Sequence, residues 1–226
     1  MIHQTIKDEL YGHFARIGKA VSCDKRLEIL DVLSQGERRV EALAKAAHLT
    51  IGNTSAHLKT LYNARLVERR KAGQQVFYRL ASPAVFHFLR HLELLGRAQI
   101  SEIEQLVKLH YEMPEEFEPV GALELLRRIR DDDILVIDVR PPEEYRAGHI
   151  PTALNVPPDE VQRRLAELPM DREIVAYCRG PYCLFSVEAA KVLHGKGFRV
   201  RRLEAGLPDW REQGYPVSEG DERGTL

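Results

Sequence analysis

Nine residues, Glu112-Met-Pro-Glu-Glu-Phe-Glu-Pro-Val120, change the period of this chain. Proline lacks an amide donor and biases its preceding residue away from the helix, so two prolines among four acids end the helical pattern that runs up to them. Upstream, apolar residues recur at three-to-four spacing. Downstream, short β-branched runs alternate with helical stretches. A switch of period predicts two domains, and 226 residues suffice for two modest cores. The expected division is a helical domain over 1–112, a linker over 113–119, an α/β domain over 120–217 and a tail over 218–226.

Hydrophobic residues make up 44% of the chain and charged residues 30%, the balance of a globular protein without a membrane partner. The longest apolar runs, such as Ile134-Leu-Val-Ile137, are far too short to span a bilayer and suit buried strands. The first ten residues lack the basic-then-apolar pattern of an export signal, so a cytoplasmic location is expected. Three cysteines in such a chain point to reduced or reactive thiols rather than a disulfide framework. The overall charge of -1 conceals an asymmetry: the first 113 residues carry +5 and the rest -6. Only the first half suits a polyanion, although excesses this small also fit ordinary solvated surfaces.

In the first half, Ile2, Ile6, Leu10, Phe14, Ile17 and Val21 form one stripe of a helix. A second helix runs from about Asp24 to Ser34. Two more follow, Val40–Ala47 and Asn53–Tyr62, separated by the turn Leu49-Thr-Ile-Gly52. Val67–Leu80 reads as a hairpin around Gly73, and Ser82-Pro83 opens a last helix that reaches roughly Tyr111. Helix, turn, helix and basic hairpin is the layout of a winged helix-turn-helix. Its second helix opens with the small and polar residues Asn53, Thr54, Ser55 and Ala56, followed by His57 and Lys59. Such residues let a backbone enter the major groove and reach base edges or phosphates. Arg69, Arg70 and Lys71, near the hairpin tip, can reach phosphates or the minor groove. From Glu37 to Lys71 the local balance is +5.

Ser22–Leu33, Leu43-Ala44, Leu49-Thr50, Ser55–Leu61, Leu66-Val67 and Gly73–Tyr78 resemble the ArsR/SmtB family of dimeric bacterial repressors over roughly the first hundred residues. The resemblance implies a homodimer, built from the first and last helices of this domain, on a two-fold-symmetric DNA operator. Metal-sensing members carry paired thiols before the recognition helix, or acids and imidazoles in the dimerisation helix. Here Glu37–Leu43 has no cysteine, and no carboxylate-histidine set completes a site around His87 and His91. Neither a metal nor a cofactor is expected. Cys23 reads as a small helix-start residue.

In the second half, strands near 134–138, 154–156, 173–177 and 199–203 alternate with helices, which predicts a mainly parallel sheet covered on both faces. Reactive groups in such sheets lie beyond the carboxyl ends of strands. The loop Cys178-Arg-Gly-Pro-Tyr-Cys-Leu184 is placed there, ahead of the helix from Ser186. A thiol below a helix N-terminus is acidified by unsatisfied amides and the dipole, and the same groups cradle an anion. Cys178 is therefore the candidate nucleophile. Arg179, Gly180, Pro181, Tyr182, Cys183 and Leu184 form the candidate anion loop, with Arg179 adding charge and Gly180 letting the backbone curl. Two thiols without a second pair do not make a structural zinc site. Cys183 reads either as a redox partner of Cys178 or as a packed thiol.

Ile137–Val156 and Leu203–Val217 resemble the first and last signatures of rhodanese domains, over about Val120 to Val217. The resemblance implies that Cys178 takes a sulfane sulfur as a persulfide from a small donor such as thiosulfate or another persulfide, then passes it to a thiol or cyanide. Asp138, Arg140 and His149 fall at matched positions and have supporting roles: ionic hydrogen bonds for the first two, a backbone bond near Gly148 for the third. The loop departs from the usual C-R-x-G-x-R spacing. Its glycine is one place early and the later arginine is absent; the longer C-x5-R pattern of related phosphatases would need arginine at Leu184. The leading expectation is a DNA-binding repressor whose rhodanese domain carries or senses sulfane sulfur. The alternatives are a sulfurtransferase that uses its helical half to dimerise, and a regulator with a non-catalytic anion-binding module.

Overall fold

The computed structural model describes residues 2–111 and 119–222, with the side chain of Ile2 left out. The expected linker, apart from Pro119, and the last four residues of the expected tail lie outside them. The chain divides into two compact units, Met1–Gly96 and Arg97–Leu226.

Unit 1 is mainly helical. Its elements are α1 (Ile2–Val21), α2 (Asp24–Ser34), β1 (Arg38–Arg39), α3 (Val40–Ala46), α4 (Ile51–Asn63), β2 (Val67–Ala72), β3 (Gln75–Leu80) and α5 (Pro83–Gln99), whose last three residues fall in unit 2. Ile29, Leu30 and Leu33 of α2, Leu43 of α3 and Leu58 and Leu61 of α4 form the core, closed by Val85 and Leu89 of α5. β2 and β3 pair in antiparallel register from Val67↔Leu80 to Ala72↔Gln75, and Gly73 turns the hairpin at a φ of 61°. β1 adds a third strand beside β3. Along α1, Ile6, Leu10, Phe14 and Ile17 are exposed, as are Leu94 and Leu95 of α5. Apolar residues at helical spacing left in water are the mark of a face made for another chain.

The sequence predicts one helix from Pro83 to about Tyr111. Instead α5 ends at Gln99, Ile100 takes an extended backbone (φ −119°, ψ 99°) and α6 (Ser101–His110) begins anew. Apolar periodicity continues across Ile100, which hides the break from a reading of pattern alone.

Unit 2 continues with α7 (Ala122–Arg130), β4 (Ile134–Asp138), α8 (Pro142–Arg146), β5 (Leu154–Asn155), α9 (Pro158–Arg164), β6 (Glu173–Tyr177), α10 (Leu184–His194), β7 (Val200–Arg202) and α11 (Leu207–Glu212). Strand order is β5-β4-β6-β7 and every pair is parallel. One face of the sheet packs on Val161, Leu168, Ala189, Ala190 and Leu193 around α9 and α10. The other packs on Leu125, Ile129, Tyr145, Leu207 and Trp210. Helices on both faces follow from right-handed crossovers between parallel strands. Beyond α11 the chain folds back: Ser218 exchanges both backbone hydrogen bonds with His149 at 2.9 Å, and the Gly220 amide donates to the Arg146 carbonyl.

Gly206, the N-cap of α11, lies against the thiol loop, and a Cβ there would collide with the Arg179 carbonyl and the Gly180 amide nitrogen. The next amide, of Leu207, donates to the Cys178 carbonyl at 3.4 Å. Gly206→Ala should displace the 178–180 backbone and lower stability by about 1–3 kcal/mol, as overpacking does. Chemical denaturation of the purified variant measures this.

Candidate functional site

Cys178 is the first residue after β6, at the carboxyl edge of the sheet, and is 2% exposed. Cys183 caps α10, its amide donating to the Gly180 carbonyl at 3.2 Å. The two sulfurs are joined as a disulfide, with Cα atoms 6.1 Å apart. Pro181, Tyr182 and Cys183 are half-buried, while Leu184 is exposed. The loop therefore brings two thiols into bonding contact below the first turn of an eleven-residue helix.

The residues around the loop sort by charge. Arg179 binds Glu144 of α8 through Nε (3.2 and 3.1 Å) and Nη2 (2.7 Å), and Glu144 is 3% exposed. The charge that Arg179 was expected to lend to an anion is thus matched by a carboxylate. Gly180 is not among the glycines of positive φ, so the curl does not rest on it. The glycine that the loop requires is Gly206, on a distant stretch of chain. On the α10 side, Ser186 donates to the Cys183 carbonyl at 3.1 Å, and Arg202 at the end of β7 donates from Nε to Ser186 Oγ at 3.1 Å. Burial lowers the Arg202 pKa from its ordinary value. Glu144, Ser186, Arg202 and Gly206 were missed in the sequence, where no local pattern links them to the cysteines.

Behind the loop lies a buried ionic network. Asp138 and Arg140 have fully buried side chains; Arg140 donates to Asp138 through its amide (2.9 Å), Nε (3.0 Å) and Nη2 (2.5 Å), and through Nη2 also to the Gly148 carbonyl (2.7 Å). The Tyr177 hydroxyl donates to Asp138 at 2.6 Å and accepts from the Ile150 amide at 3.0 Å. Burial and the Asp138 carboxylate push the Tyr177 hydroxyl well above its usual pKa, so it stays a donor. Burial opposes the Arg140 charge, yet the same carboxylate outweighs it and holds the guanidinium above its ordinary value. Asn155 of β5 bonds the Asp138 and Arg140 carbonyls at 3.0 and 2.9 Å. His149 is buried and stacked on Tyr145 with ring centroids 3.7 Å apart; its Nδ1 bonds the Tyr145 carbonyl, and its Nε2 has no hydrogen-bond partner among the described residues.

In unit 1, α4 begins one turn after α3, capped by Thr50, whose hydroxyl accepts from the Asn53 amide at 3.2 Å. Asn53, Ser55, Ala56 and Lys59 are exposed and His57 is half-buried. Thr54 departs from the expected set: it is fully buried and its hydroxyl donates to the Thr50 carbonyl at 2.9 Å, so it faces the core rather than solvent. On β2 alternation splits the three basic residues. Arg69 stacks over Tyr62 of α4 at 4.7 Å; Arg70 is paired with Glu37 and stacked over Phe77; Lys71 is exposed. Cys23 precedes α2 and its thiol lies 3.6 Å from the Asp24 carboxylate. Among the described residues no group of three or more His, Cys, Asp or Glu could hold a metal ion, and no helix is long and apolar enough to cross a membrane.

Removing the Asp138 carboxylate leaves a buried guanidinium without its counter-charge. Asp138→Ala should destabilise the protein by about 3–5 kcal/mol, read as a lowered denaturation midpoint in urea.

Residues 23–69 match the family described as bacterial regulatory protein, arsR family, and residues 122–213 match the rhodanese-like domain. The chain is 41% identical to the HTH-type transcriptional regulator Rv0324 of Mycobacterium tuberculosis over 214 residues, covering 95% of this chain and 94% of that protein. A sulfurtransferase of Allochromatium vinosum is 36% identical over 99 residues, 43% of this chain and 92% of its own length. Among solved structures, a homodimeric winged helix-turn-helix DNA-binding domain from Mycobacterium bovis is 37% identical and covers 42% of this chain and 87% of that one, with a TM-score of 0.40. With a relative that matches it nearly end to end, and with both domains recognised in sequence, the chain belongs to the arsR family of HTH-type bacterial regulators, in a form that carries a rhodanese-like domain after its winged helix.

Proposed function

We propose that the chain is a homodimeric, operator-binding repressor whose DNA affinity depends on the sulfur state of Cys178 and Cys183. The observation that carries this reading is two cysteines in bonding contact at the carboxyl edge of a rhodanese-like sheet, in the same chain as a winged helix. The exposed face of α4, with Asn53, Ser55, Ala56 and Lys59, supports a role in the major groove, and Arg69 and Lys71 support contacts to phosphates. The exposed apolar stripes of α1 and α5 support dimerisation. The names of the relatives agree: one is a transcriptional regulator, the other a sulfurtransferase.

The chemistry balances in two steps. The Cys178 thiolate attacks the sulfane sulfur of thiosulfate; the S–S bond of the donor breaks, sulfite leaves with the bonding pair, and Cys178 becomes a persulfide. The Cys183 thiolate then attacks Sγ of Cys178, expelling the outer sulfur as hydrosulfide and leaving the bridge. Two thiols are oxidised and one sulfane sulfur is reduced. A cellular dithiol would reverse the bridge by exchange, becoming a disulfide itself. Amides at the start of α10 and the dipole behind them favour both thiolate and persulfide.

Intact-mass spectrometry of the reduced protein after thiosulfate or polysulfide treatment, with an operator-binding titration on the same samples, tests the reading. A gain of one sulfur atom or a loss of two hydrogens is expected in the wild type and neither in Cys178→Ser. Operator affinity should change about 5–150-fold on treatment of the wild type, the usual span of coupling between two sites, and stay constant in Cys178→Ser. Equal affinity of treated and reduced wild type would sink the sensing role. Catalytic turnover with no salt-dependent DNA binding would favour a sulfurtransferase instead.

A further inference from the structure

α6 is held in an unusual way. None of its ten residues is buried, and Leu106 and Leu109 are exposed. A helix that short is marginal in water unless tertiary contacts hold it. Contacts near its two ends lead to the thiol loop. At the carboxyl end, Tyr111 meets Tyr182 edge to face, with ring centroids 5.9 Å apart at 85°. The Tyr111 carbonyl accepts from Arg202 Nη1 at 3.2 Å. The same guanidinium bonds Ser186 Oγ, and Ser186 in turn bonds the Cys183 carbonyl. Toward the amino end, Glu104 accepts from Arg97 Nε and Nη2 at 3.3 and 3.0 Å. Glu104 and then Tyr182 raise the pKa of that guanidinium. Tyr182 therefore meets Tyr111 at the carboxyl end of α6, and acts on Arg97 of α5, the partner of Glu104, from inside the span that the Cys178–Cys183 bridge closes.

We propose that α6 is a strap whose docking reports the state of the two thiols, and that Tyr182 is the positioning residue that transmits it. The inference rests on the reading that Cys178 and Cys183 change state, and it adds the place where that change is read. In the bridged protein, Cys183 is fixed relative to Cys178, Tyr182 is presented to Tyr111, and α6 is docked. Opening the bridge, or lodging an added sulfur on Cys178, frees the backbone on both sides of Tyr182. The ring contact and the Ser186–Arg202–Tyr111 arm then lose their common anchor at Cys183. With none of its residues fully buried, α6 loosens first. Arg97 lies one residue beyond unit 1 in the same α5 helix, so the strap is covalently continuous with the dimerisation helix of the DNA-binding unit.

Amide hydrogen exchange on the full chain tests this, with the thiol state of each sample fixed by intact mass after diamide (bridged) or dithiothreitol (open). In the wild type, amides of residues 101–111 should exchange at least five-fold faster when open than when bridged. In Tyr182→Ala they should exchange fast in both states, although the bridge still forms. Tyr182→Phe, which keeps the ring contact, should restore most of the dependence on thiol state. Equal exchange in bridged and open wild type would overturn the strap. Persistence of the full difference in Tyr182→Ala would remove Tyr182 from it. Failure of the wild type to form any bridge or sulfur adduct would instead overturn the thiol reading itself, and the strap with it.

Discussion

A carboxylate and a guanidinium closed off from water, Asp138 and Arg140, tie together the ends of the two central strands. Everything at the carboxyl edge of the sheet hangs from them. Asp138 ends β4 and binds the hydroxyl of Tyr177, which ends β6; one residue later comes Cys178. Arg140 reaches on to the carbonyl of Gly148, and Asn155 of β5 holds the backbone of both ionic residues. A buried pair of this kind contributes little over an apolar replacement, but losing one member is costly. Its value here is geometric, because it fixes where β6 stops and so where the thiol begins.

Above that platform the positive charges divide their work. Arg179 is matched by buried Glu144 and pins the loop to α8, whereas Arg202 binds neutral oxygens, one on Ser186 and one on Tyr111. Charge read by position in the sequence would give the first of these to an incoming anion. Contact geometry shows it already bound. In the DNA-binding unit the same lesson recurs on β2, where Arg70 is paired with Glu37 while its neighbours lie on the other face or in solvent.

What the sequence revealed was what depends on local period. Stripes of apolar residues placed α1, α2 and α4, and β-branched runs placed β4 and β6, with Cys178 at the edge of the sheet. The prolines and acids near 112–120 mark the change of pattern, whereas the compact units divide between Gly96 and Arg97. What stayed hidden was long-range. The break at Ile100 preserves helical spacing on both sides, so periodicity runs through it. The two-residue β1 exists only because β3 lies beside it. Gly206 is required by the Arg179 carbonyl, twenty-seven places earlier in the chain. At Thr54 a polar residue at a helix start reads from sequence as a donor to a ligand, whereas its hydroxyl is satisfied by the preceding turn.

The chain after Val217 bears on how the protein can be handled. Ser218 completes both backbone hydrogen bonds of His149, and Gly220 caps the Arg146 carbonyl. Those backbone bonds tie the chain end to the segment that carries the buried His149–Tyr145 stack. A version trimmed at the end of the recognisable rhodanese signature would lose those bonds, beside the Gly148 turn to which Arg140 is anchored. A fragment chosen by homology alone would thus test a domain with one end untied, unlike the one the full chain folds.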